Sequence, residues 1–106
     1  MQPPLCPNPG AAIASPGNGQ VINGETQVTG TASIERFQFY KLEWTTPDQP
    51  DHWNWFAGSE VPVVGGVLGA FNQGNILPPG EYIIRLVVVD ITGNYPEPCA
   101  VRVIIP

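Results

Sequence analysis

Period-two alternation of apolar and polar side chains, broken by glycine and proline, is the main pattern along this chain. From Glu25 to Ala32, Thr26, Val28, Gly30 and Ala32 share one face and Glu25, Gln27, Thr29 and Thr31 the other, the signature of a half-buried strand. From Arg36 to Thr45, one face carries Gln38, Tyr40, Leu42 and Trp44, and the other Phe37, Phe39, Lys41 and Glu43. The second face ends in two charges, so the first is the better core face. The longest run lies within Leu77–Asn94, after a Pro-Pro-Gly corner and ending at Asp90; it places Tyr82, Ile84, Leu86 and Val88 on one side and Ile83, Arg85, Val87 and Val89 on the other. The last strand, Cys99 to Ile105, sets Cys99, Val101, Val103 and Ile105 against Ala100, Arg102 and Ile104.

Shorter pieces fill the intervals. Ala11–Ala14 reads as a first strand, Val21 and Ile22 as apolar anchors, and Ile34 as a plug for the loop after the alternating strand. Asn23-Gly24 is a hairpin signal. His52–Ala57 reads as a short aromatic strand or loop that Gly58-Ser59 breaks; Val61–Val64 and Val67–Phe71 read as two short strands around Gly65-Gly66. Seven or eight strands and no helix predict an all-β sandwich. No internal repeat is visible. The arrangement is a Pro-rich linker over 1–10 and one domain over 11–106.

Composition fits this reading. The chain has 106 residues, enough for one core. Its 12 glycines and 13 prolines sit between the strand-like runs, as turns demand. With four basic residues and a net charge of −5, it can hardly supply the phosphate contacts that nucleic-acid binding needs, and an anionic membrane surface is disfavoured for the same reason. No run of 18 apolar residues is present, so no membrane insertion by this domain is expected. MQPPLCPNPG lacks the basic start and apolar centre of a secretion signal, so Met1 is read as the start of a domain cut from a longer chain.

Candidate chemistry is sparse. His52 is the one histidine, and Ser15, Ser33 and Ser59 lie in or beside turns. Asp48 and Asp51 belong to a solvated loop, TPDQPD. No nucleophile elbow, paired-histidine motif or phosphate loop occurs. No catalytic residue, cofactor or metal site is therefore assigned. Asp90 with Asn94 is the nearest approach to a calcium site, but Asp90–Asn94 reads better as a turn in which Asp90 accepts backbone N–H bonds. Trp53 and Trp55, on the same side of an extended chain, are the candidate glycan contact; packing against the core or the sheet edge is the competing role.

The corner Leu77-Pro-Pro-Gly-Glu-Tyr82 resembles that of immunoglobulin-like and fibronectin type III modules. In those modules a tyrosine hydroxyl ties back to nearby backbone; by resemblance Tyr82 is that tyrosine. The series Ile13-Ala-Ser-Pro, Gly24-Glu-Thr-Gln-Val-Thr-Gly-Thr-Ala, Phe39-Tyr-Lys-Leu-Glu, Trp53, and Tyr82–Asp90 with Gly93-Asn94 is similar to bacterial extracellular immunoglobulin-like modules. Some of these follow penicillin-binding proteins (peptidoglycan glycosyltransferase and transpeptidase); others follow secreted peptidases.

The resemblance implies an immunoglobulin-like antiparallel β-sandwich that is an accessory rather than an enzyme. Its expected partner is a neighbouring domain of the parent chain or another protein, with cell-wall glycan as the alternative. In that fold the first and last strands lie side by side, so Cys6 and Cys99 are expected to form a disulfide, with two free thiols as the alternative. A disulfide implies an oxidising, extracellular or cell-surface location. The fold also makes the Arg36 strand a neighbour of the last two strands. Phe37, Phe39, Val87 and Val89 then form an apolar outer patch, with Lys41, Glu43 and Arg85 at its charged end. Such a patch is a candidate partner surface.

Overall fold

The computed structural model describes residues 6–106; the first half of the expected 1–10 linker lies outside them. Eight strands form two sheets: β1 (Ala11–Ser15), β2 (Gln20–Val21), β3 (Thr26–Ala32), β4 (Phe37–Thr45), β5 (Asn54–Ser59), β6 (Val63–Phe71), β7 (Gly80–Asp90) and β8 (Cys99–Ile105). One sheet has the order β1-β3-β6 and the other β2-β8-β7-β4-β5. All pairings are antiparallel except β2 with β8. The described residues contain no helix, hence none long and apolar enough to cross a membrane. The chain is an all-β sandwich.

The alternation read from the sequence sets the core. Val28 and Ala32 from β3, Tyr40 and Leu42 from β4, Tyr82, Ile84, Leu86 and Val88 from β7, and Cys99, Val101 and Val103 from β8 are buried together. Ala11 and Ile13 from β1 and Leu68 and Phe71 from β6 close the layer from the smaller sheet. Phe71 links the sheets at one end, edge-on to both Phe56 and Tyr82 at 5.5 and 5.8 Å. A Cys6–Cys99 disulfide ties the segment before β1 to the start of β8. Cys99 also accepts a hydrogen bond from the Ile13 amide at 3.3 Å.

Several local readings need correction. Asn23-Gly24 does turn, with Gly24 at φ 75°, but it makes no hairpin: β2 before it pairs with β8 and β3 after it belongs to the other sheet. Gly65-Gly66 does not separate two strands. β6 runs through them as a bulge, with Gly65 at φ 59° and its amide donating to Thr31 Oγ1 at 3.1 Å. Gly58-Ser59 does not break β5 either. A side chain at Gly58 would start 2.6 Å from the Tyr40 carbonyl oxygen, so glycine there permits close strand pairing. The first and last strands do not share a sheet: β1 pairs with β3, and the disulfide runs from the segment before β1 to β8.

Candidate binding faces

The outer face of the larger sheet is built by β4, β5, β7 and β8. Opposite Val89 stands Phe39, opposite Val87 stands Lys41, and opposite Arg85 stands Glu43. A groove of about 330 Å³ opens over Phe39, Val87 and Val89, walled by Tyr95 and Pro98 from the β7–β8 connection. That connection explains why Val87 and Val89 are 3% and 8% exposed although they point away from the core. Phe37 is not part of this surface. The β4–β7 register shifts between Phe37 and Phe39, which turns Phe37 onto the core and brings Gln38 to the groove instead. The apolar patch thus reduces to Phe39 over two valines largely covered by their own chain.

The charged end is ordered. Glu43 Oε1 accepts from Arg85 Nε at 2.9 Å and from Nη2 at 2.8 Å, and Lys41 Nζ lies 3.6 Å from Glu43 Oε2. The Arg85 guanidinium lies 3.9 Å from the centre of the Trp53 ring, a cation–π stack. One face of Trp53 is therefore occupied. Trp55 is 66% exposed and flanks a second, shallower groove with Phe39, Lys41, Ser59 and Glu60. Phe39 and Lys41 line both grooves, so Tyr95 and Trp55 stand at the two ends of one continuous surface.

At the opposite end from Asp90, the Tyr82 hydroxyl donates to the Pro78 carbonyl at 2.7 Å, and burial raises its pKa. Asp90 Oδ1 accepts from the Thr92 hydroxyl and amide and from the Asn94 amide. Gly93 takes φ 85°. These bonds, the Thr92 hydroxyl first, lower the Asp90 pKa. The carboxylate is spent on its own turn. Among the described residues no three His, Cys, Asp or Glu side chains gather where they could hold a metal ion.

Two residues that the sequence does not mark as binding candidates stand out. Tyr95, 57% exposed, sits in a segment whose course follows from neither periodicity nor turn chemistry. Trp44, placed on the core face, is only half-buried; it stands edge-on to Tyr82 at 5.5 Å and lines clefts on either side. His52, Asp48 and Gln49 line one of these clefts. Compared with protein-family models, curated proteins and solved structures, the chain gives no match.

Proposed function

We propose that this chain is a non-enzymatic, immunoglobulin-like accessory module of a larger bacterial cell-surface or secreted protein. It docks a neighbouring domain of its parent chain, or another protein, through the outer face of the larger sheet. The strand order supports the immunoglobulin-like part of this reading: β8-β7-β4-β5 and β1-β3-β6 follow the division of strands in that fold. The Tyr82–Pro78 bond agrees with its corner. The Cys6–Cys99 disulfide supports an oxidising, extracellular setting.

The observation that carries the docking role is the surface between Tyr95 and Trp55. Two aromatics at 57% and 66% exposure flank grooves that meet at Phe39 and Lys41. Aromatic anchors beside a few charged groups are the composition of protein interfaces. Hydroxyl-radical footprinting of Trp55 and Tyr95, in the isolated domain and in the parent protein on cells, tests it. Labelling of both should fall in the parent; equal labelling removes the docking role.

The exposed Trp55 also favours a second reading, cell-wall glycan bound at Trp53 and Trp55, although Arg85 already covers one face of Trp53. A shift of tryptophan fluorescence that is lost in Trp55→Ala would support it.

A further inference from the structure

The end of the sandwich near the tyrosine corner holds two adjoining clefts, of about 390 and 160 Å³, separated by Trp44 and Leu77. We propose that the larger cleft is a saccharide-binding site that takes a neutral pyranose, its apolar face against Trp44 and its hydroxyls on Asp48, Gln49 and Asn54. A sugar ring presents C–H groups on its faces and hydroxyls around its rim. A protein site for it therefore pairs an aromatic surface with planar carboxylates, which accept hydrogen bonds, and amides, which both give and take them. Trp44 sits beside just that set.

The loop backbone that carries Asp48 and Gln49 is fixed, and so is the Asn54 side chain. The Thr45 hydroxyl lies 2.6 Å from the Gln49 carbonyl oxygen and 2.8 Å from that of His52 and shares its one proton between them. The amides of Gln49 and His52 donate to the Thr46 and Gln49 carbonyls at 3.1 and 3.0 Å. The loop between β4 and β5 is thus closed on itself, with the Asp48 and Gln49 side chains outside. The Asn54 amide nitrogen donates to the Trp44 carbonyl at 3.2 Å and the His52 carbonyl at 3.4 Å, which orients its carbonyl oxygen. Such a preset loop loses little freedom on binding.

Charge selects the ligand. No Lys or Arg lines either cleft, and Asp48 contributes a negative charge. A phosphate or uronate would meet repulsion there, so the sugar is neutral. The smaller cleft continues past Leu77 to Gln73, giving a second ring further amide contact. This site is separate from the Tyr95–Trp55 surface and stands or falls independently of it.

The test is NMR of the folded domain, following the indole N–H signals of Trp44, Trp53 and Trp55 during titration with cellohexaose, mannohexaose and N,N-acetylated chitohexaose. An oligogalacturonate hexamer serves as the anionic counterpart. At least one neutral probe should shift the Trp44 signal saturably and leave Trp55 unmoved. Asp48→Ala and Gln49→Ala, both exposed positions whose fold-forming bonds are backbone ones, should each weaken that binding about tenfold. No Trp44 shift with any neutral probe at about 10 mM, well past weak millimolar affinity, overturns the proposal. So do a shift confined to Trp55, unchanged affinity in both loop variants, or equal binding of the oligogalacturonate.

Discussion

The Asp90 carboxylate accepts three hydrogen bonds within its own turn, and its pKa falls as a result, chiefly through the Thr92 hydroxyl. The unfolded chain lacks those bonds, so its Asp90 titrates at the ordinary value of about 3.9. A folded pKa below the unfolded one contributes stability that is present above the unfolded value and lost as pH falls through the folded one. Asp90→Asn should therefore be less sensitive to acid than the native chain in that window. Urea midpoints measured between about pH 5 and pH 2 check this; parallel curves would remove the carboxylate from the account. The turn itself was legible in Asp90-Ile-Thr-Gly-Asn94, because Asp at the start of a turn and Gly at positive φ act locally. Depth was not. Glu43 reads as an outward charge, yet it is 8% exposed because Arg85 and Lys41 close over it. Alternation reports the side of a sheet and cannot report what neighbouring strands place above it.

Among the strands, β3, β4, β7 and β8 were readable because each is long enough for period two to show; the core faces of β3, β7 and β8 are those expected, and that of β4 holds at Tyr40 and Leu42 but not at Gln38. Glycine obscures the extent of β5 and β6 for one shared reason. Gly58 and Gly65 look like breaks, but each admits a close approach or bulge that only the partner strand reveals. Gly69 extends the point. A side chain there would start 2.5 Å from the Ala57 Cβ and 3.0 Å from Leu42 Cδ1, so β6 comes right up against β5 across the sandwich edge. Gly69→Ala should destabilise the fold by about 1–3 kcal/mol, the range for overpacking. Chemical denaturation measures it. A neutral outcome would mean that the two sheets can part at this corner without loss. Phe37 follows the same lesson: one bulge in β4 moved it from the outer face to the core.

For the molecule as a whole, the two cysteines enclose nearly the entire chain, 93 positions apart. Linking them removes much of the freedom of the unfolded chain, roughly 4–5 kcal/mol on the chain-entropy account. Replacing both by alanine should lower stability by about that amount, a large part of the 5–15 kcal/mol typical of a domain. A urea midpoint unchanged in the double variant would show that the linkage constrains little. Charge is also divided unevenly: β1, β3 and β6 contain no Asp, Glu, Lys or Arg, while β4, β7 and β8 carry the ion pairs. The smaller sheet thus depends on packing, and the larger one also orders its outer face electrostatically.

By itself the sequence determined the strand content, the inner faces of the long strands, the turn chemistry at Asp90–Asn94 and the scarcity of catalytic groups, all of which follow from interactions between near neighbours in the chain. Only the tertiary structure decided which strands share a sheet, that the Cys6–Cys99 disulfide reaches β8 from the segment before β1 in the other sheet, that Arg85 lies over Trp53 and that Tyr95 walls the groove above Val87 and Val89. It also decided that Trp44, at the end of a core face, borders two open clefts. Most of these join residues far apart in sequence, and the free energy that brings them together comes from burial and pairing across strands, which local patterns do not encode.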